Sequence, residues 1–196
     1  MRYVALGDSY TIGTSVEAAE RWPNQLVARA PRLGLDLVAN LGVNGFTSRD
    51  VIEVELPRLP RLDPELVSLL VGVNDVVQRV PVDAYRANVV DILEDVIELV
   101  GAGRVIVVTT PDYTVTPAGA DYGDPATQSA GIQGNNAIIT ELATARGIAV
   151  VDIFDISLEA KTNRSLVAGD GLHPSGAQYG RWVDRIAPAV EALLRA

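Results

Sequence analysis

The sequence predicts an α/β fold in which a five-stranded parallel sheet lies between two helical layers, a flavodoxin-like three-layer sandwich. Three observations predict it. Five short apolar runs, Tyr3–Leu6, Leu35–Leu41, Leu66–Val71, Arg104–Thr109 and Ile148–Ile153, are rich in Val, Ile and Leu and mostly do not alternate, as expected of strands covered on both faces. Helix-spaced apolar residues lie between these runs, and strands alternating with helices imply parallel pairing. The chain has 196 residues, about one domain on a scale of ~100–200 residues each, so residues 1–196 are read as a single domain.

The elements follow in order. The first run ends in Gly7-Asp8-Ser9-Tyr10, the second in Gly42-Val43-Asn44-Gly45-Phe46-Thr47-Ser48 and the third in Gly72-Val73-Asn74-Asp75. A helix is expected over Pro81–Val100, because Val89, Ile92, Leu93, Val96, Ile97 and Val100 keep the i, i+3, i+4 spacing of one face. Pro81 suits its first position and Gly101 its C-terminal cap. Segment 111–130 carries glycine and proline breakers in its first half and no clear period, so it is expected to be a long irregular loop, either a binding lid or a surface excursion. Ile138, Ile139, Leu142 and Ala143 mark a further helix ended by Gly147. Trp182, Val183, Ile186, Val190, Leu193 and Leu194 mark the last one, which contains Pro188.

Composition narrows the function. The net charge is −9, which disfavours nucleic acid and anionic membrane surfaces as partners. No apolar run reaches the ~18 residues of a membrane span, and no amphipathic surface helix suggests stable membrane association. There are no cysteines and only one histidine, so disulfides are excluded and no metal or other cofactor is expected. Asp112, Asp121 and Asp124 are expected to be solvated. The chain enters its first strand directly after Met1-Arg2, so a cytoplasmic location is expected. Nothing in the sequence sets an oligomeric state.

In open parallel sheets, ligands bind beyond the carboxyl ends of the strands, where the polar segments above gather. His173, the sole histidine, follows Asp170 by three residues in Asp170-Gly171-Leu172-His173-Pro174. A carboxylate at that spacing can accept a hydrogen bond from Nδ1–H and leave Nε2 free as a base. Ser9, in a tight turn after the first strand, is the candidate nucleophile. Gly45 can offer a backbone N–H, and Asn74 a side-chain N–H, to a developing oxyanion. Each residue taken singly has a plainer use, Ser9 as a helix cap and Gly45 and Asn74 as turn residues. Ser48 and Ser175 are read as helix caps. An aspartyl-phosphate site at Asp8 would need magnesium-binding carboxylates and a lysine, for which Lys161 is the only candidate, and it leaves His173 idle. Gly101-Ala102-Gly103 lacks the dinucleotide pattern.

Taken together, Gly7-Asp8-Ser9-Tyr10, Asn44-Gly45-Phe46-Thr47, Gly72-Val73-Asn74-Asp75 and Asp170-Gly171-Leu172-His173 resemble the four blocks of the SGNH hydrolases, also called the GDSL lipase/esterase family. They span most of the chain in the family's order. One departure is Tyr10, where Leu or Ile is common. The resemblance implies a serine hydrolase that cleaves carboxylic esters through an acyl-enzyme. Ser9 would be the nucleophile, His173 the base and acid, and Asp170 its orienter. The Ser9 and Gly45 N–H groups and the Asn74 side chain would form the oxyanion hole. Tyr10, Phe46, Val73 and Leu172 neighbour these residues and are expected to wall a short-acyl pocket for a small-molecule ester. The same site could serve a thioesterase, lysophospholipase, carbohydrate deacetylase or acyltransferase. A non-catalytic binding module on the same scaffold would be expected to have lost at least one of Ser9, Asp170 and His173.

Overall fold

The computed structural model describes residues 1–195. Five strands, β1 (Arg2–Gly7), β2 (Asp36–Asn40), β3 (Leu66–Leu70), β4 (Val105–Val108) and β5 (Ala149–Val151), form one parallel sheet in the order β2-β1-β3-β4-β5. This is the expected α/β sandwich. The helices are α1 (Ser9–Ile12), α2 (Trp22–Arg29), α3 (Ser48–Asp50), α4 (Leu59–Leu62), α5 (Val73–Val77), α6 (Val82–Val100), α7 (Pro125–Ala145), α8 (Phe154–Leu158) and α9 (Gly176–Arg195).

Strand residues alternate between two cores. Tyr3, Ala5, Leu66, Leu70, Ile106 and Val108 meet Trp22 and Leu26 of α2 and Trp182, Ile186 and Val190 of α9. Val4, Leu6, Val67, Leu69, Val105 and Val107 meet Val89, Ile92, Leu93 and Val96 of α6 and Ile139, Leu142 and Ala143 of α7. Burial on both faces explains why the strands read as unbroken apolar runs. The tyrosine hydroxyl at the centre is accommodated by a 2.8 Å hydrogen bond between Tyr3 Oη and Ser68 Oγ.

Three expectations change. Pro81 precedes the first turn of α6 as its cap residue and does not occupy it. Segment 111–130 is not an irregular loop throughout. It makes two short 3-10 turns, Tyr113–Val115 and Gly119–Tyr122, and then begins α7 at Pro125. Asp121 and Asp124 are exposed as expected, whereas Asp112 is not, and both Asp112 and Asp124 cap these elements. Asp112 is buried and accepts from the Thr114 N–H and hydroxyl and from the Ser129 hydroxyl. Asp124 accepts from the Thr127 N–H at 2.9 Å at the start of α7. The path from α3 to α4 also stays helical, through a π turn at Val51–Glu55 and a 3-10 turn at Leu56–Arg58.

In this strand order the chain changes direction between β1 and β3, so a crevice opens beyond their carboxyl ends. No helix among the described residues is long and apolar enough to cross a membrane.

Candidate active site

The crevice holds a cavity of about 190 Å³ lined by Ser9, Gly45, Asn74 and His173, together with Tyr10, Asn44, Val73, Val77, Tyr113, Tyr122 and Leu172. Four separate segments thus bring Ser9, Gly45, Asn74 and His173 to one place.

Ser9 is placed by the turn that joins β1 to α1. Gly7 has φ +144°, and a Cβ there would lie 2.1 Å from the Leu70 carbonyl oxygen, so only glycine lets β1 turn this tightly beside β3. Asp8, not Ser9, caps α1: its Oδ1 accepts from the Tyr10 N–H at 2.9 Å. That leaves the Ser9 side chain to the cavity.

His173 sits in a closed turn, with the Ala168 N–H bonded to its carbonyl at 2.7 Å. Its Nδ1 lies 2.6 Å from Asp170 Oδ2, while Asp170 Oδ1 accepts from the backbone N–H groups of Leu172 and His173 at 2.9 and 3.0 Å. Partial burial pushes the Asp170 pKa up, but these hydrogen bonds and one from Ser15 Oγ at 2.6 Å outweigh it and hold the carboxyl well below the usual range. An ionised carboxylate only accepts, so Nδ1 carries the proton and Nε2 is the free acceptor. The Tyr10 ring packs between His173 and Trp182, with centroids at 5.6 and 6.4 Å. Tyr10 therefore supports the imidazole from α1 as well as lining the cavity.

The opposite wall is built from the segment after β2 and from α5. Gly45 has φ +84° with open space around its missing side chain, so its backbone conformation demands glycine and the space beside it is free for a ligand. Asn74 Nδ2 donates to the Phe46 carbonyl at 2.9 Å, which uses one of its two N–H groups and fixes the amide's orientation. Next to it, Asp75 accepts from the Ser48 N–H at 3.0 Å and from the Ser48 hydroxyl at 2.5 Å. Thr47, with its hydroxyl accepting from the Asp50 N–H, caps α3 in the place expected of Ser48. Ser175, by contrast, does cap its helix, accepting from the Gln178 N–H at 3.4 Å. Asn135 of α7 donates to the Gly72 carbonyl at 3.0 Å and steadies the turn before Asn74.

Of the expected pocket wall, Tyr10, Val73 and Leu172 line the cavity and Phe46 does not. Phe46 contributes its carbonyl to Asn74, a backbone role that side-chain type could not signal. Asn44, Val77, Tyr113 and Tyr122 were not foreseen. Val77 lies one helical turn beyond Val73 on α5, a spacing that could have found it. The two tyrosines pack edge to face at 5.7 Å across the paired 3-10 turns, which the breaker-rich sequence conceals.

A second buried group stands behind Ser9. Asp8 and Glu55 are both fully buried, and each has one carboxyl oxygen without a hydrogen-bond partner. Burial pushes their pKa values up to about 8 and about 9, and raises that of Asp75 as well. The other Glu55 oxygen accepts from the Gly7 N–H at 2.9 Å. Among the described residues, no group of three or more metal-binding side chains converges.

Comparison with known proteins agrees with this fold. The chain superposes on a protein of the G-D-S-L family from Desulfitobacterium hafniense DCB-2 (TM-score 0.77, 19% identity, 96% of this chain and 98% of that one). It also superposes on TesA (0.75, 22%, 98% and 99%). A third match is a variant of Axe2, an acetyl xylan esterase from Geobacillus stearothermophilus (0.75, 20%, 96% and 94%). At these identities the likeness shows the fold. A sequence search of curated proteins returns no match. The model of the GDSL-like lipase/acylhydrolase family matches residues 5–181, nearly the whole chain and all four polar blocks, and the chain therefore belongs to that family of hydrolases.

Proposed function

We propose that the protein hydrolyses carboxylic esters of small acyl groups through an acyl-enzyme on Ser9. The observation that carries this reading is the meeting of Ser9 and His173 on one cavity, with the imidazole held by an ionised Asp170 at 2.6 Å. His173 Nε2 takes the Ser9 proton as Oγ attacks the acyl carbon. The carbonyl π electrons move onto oxygen, and the N–H groups of Ser9 and Gly45 and the second Asn74 N–H donate to that oxyanion. The intermediate collapses, the ester C–O bond breaks, and His173 gives its proton to the leaving alkoxide. Water then repeats the sequence on the acyl-enzyme, releasing the acid and restoring Ser9.

The small acyl group is supported by the cavity, whose volume is about 190 Å³ and whose lining includes the apolar Val73, Val77 and Leu172. The structurally similar Axe2 acts on an acetylated substrate, in keeping with a short acyl chain. The test is Ser9→Ala assayed on nitrophenyl acetate, butyrate and laurate. Loss of turnover with unchanged circular dichroism, and a wild-type preference for the two short esters, is expected. Wild-type turnover in Ser9→Ala would refute the nucleophile, and a preference for laurate below its micelle concentration would refute the acyl class.

A further inference from the structure

We infer that Ser15 is a positioning residue, fixing the Asp170 carboxylate, and through it the His173 imidazole, against the element that carries Ser9. This rests on the roles of Ser9, Asp170 and His173 proposed above.

The Asp170 carboxylate has four donors among the described residues. Three of them, the Leu172 and His173 N–H groups and His173 Nδ1, come from its own turn, two or three residues away. They orient the carboxylate relative to the imidazole but do not locate that turn relative to the nucleophile. The fourth donor is Ser15 Oγ, 155 residues away in the chain, at 2.6 Å from Oδ2, the same oxygen that binds Nδ1. Ser15 is itself tied to the nucleophile. The Ser9 carbonyl accepts from the N–H groups of Gly13 and Thr14 at 2.9 and 3.0 Å, and Ser15 is the next residue. Hydrogen bonds to the Ser9 carbonyl, the Thr14–Ser15 peptide link and the Ser15 hydroxyl therefore connect the Ser9 backbone to Asp170 and His173.

The backbone at Ser15 points the same way. Its φ is +65°, a left-handed conformation that glycine adopts freely and a side chain disfavours. A strained residue persists where the surroundings over-determine it, and here the contact that uses the side chain is the one to Asp170. Asp170 is partly exposed, so without Ser15 water would reach Oδ2 as a looser and weaker donor. A water would not hold the turn in register with Ser9.

The hydroxyl also draws charge from Oδ2. Without it the carboxylate would stabilise the His173 imidazolium more strongly, so removing Ser15 Oγ should move the acid limb of kcat/KM to higher pH while lowering kcat through lost alignment. A purely structural residue would not move that limb.

The experiment compares Ser15→Ala with Ser15→Gly on nitrophenyl butyrate. Both remove the hydroxyl, but glycine relieves the left-handed strain and alanine does not, so an effect of folding alone would differ between them. Expected for both is a fall in kcat of roughly tenfold or more, the size of one hydrogen bond to a charged group. KM should stay within about twofold, and the acid limb and the His173 imidazole NMR titration should shift upward together. Wild-type kcat and an unmoved limb in both variants, with Ser9→Ala and Asp170→Asn inactive, would overturn the role of Ser15 alone. Activity surviving in Ser9→Ala or Asp170→Asn would overturn it together with the reading of the site.

Discussion

At the scale of single residues, the proposed mechanism separates groups that bind from groups that wait for charge. Asn74 illustrates the second kind: one N–H is spent on the Phe46 carbonyl, and that bond aims the other before any substrate arrives. A donor aimed at an oxyanion acts in the transition state and adds little to ground-state binding. Asn74→Ala should therefore lower kcat by about 10²–10³-fold with little change in KM, measured by steady-state hydrolysis of a short ester. A raised KM with unchanged kcat would make Asn74 a substrate-binding residue. The residues most legible in the sequence are those whose chemistry is rare: one histidine, with an aspartate three positions before it, stands out by composition and spacing together. Ser15 could not, because nothing in its neighbourhood marks a serine whose partner lies 155 positions away. Phe46 misled for a related reason, since its contribution is a main-chain oxygen, which every residue owns.

At the scale of elements, strands and amphipathic helices were legible and irregular helices were not. The strands show as apolar runs because both faces are covered, and α6 shows because its buried residues keep one face. The first half of α7 carries Gly131, Gly134, Asn135 and Asn136, poor helix formers that leave no apolar stripe. They serve tertiary contacts instead. A Cβ at Gly131 would press on Val76 at 2.7 Å, and Asn136 exchanges hydrogen bonds with Thr110. The π turn at Val51–Glu55 hides its burial pattern more completely, with Val54 43% exposed and Glu55 fully buried.

That inversion has a consequence for stability. Native Asp8 and Glu55 hold protons up to about pH 8 and 9, whereas unfolded carboxyls lose theirs near ~4. Between those limits the native state binds more protons, so these groups make stability fall as pH rises. Asp170, held below the usual range, acts oppositely, adding stability above the unfolded carboxyl value that is lost on acidification. Asp8, Glu55 and the raised Asp75 set the slope above the unfolded carboxyl value, because Asp170 acts only below it, so the melting temperature should drop from about pH 5 to about pH 9. Glu55→Gln, which keeps an oxygen for the Gly7 N–H, should flatten that slope in differential scanning fluorimetry. An unchanged slope in Glu55→Gln would show that Glu55 is ionised in the native protein.

At the scale of the whole molecule, the site lies where the topology allows one. Strand order β2-β1-β3-β4-β5 opens a crevice beyond β1 and β3, and the chain delivers Ser9 from β1, Gly45 after β2, Asn74 after β3 and His173 before α9. Alternating strands and helices were enough to foresee the layers and to direct attention to the strand ends. The cavity's shape was not foreseeable, because Tyr113 and Tyr122 reach it from paired turns that only the assembled fold creates. The central claim is that this one crevice contains one activated nucleophile, and its most direct measurement is peptide mass spectrometry after exposure to a fluorophosphonate. The account predicts a single adduct per chain, on Ser9, formed far more slowly in Asp170→Asn. An adduct on another residue, or none while the protein still hydrolyses esters, would contradict it.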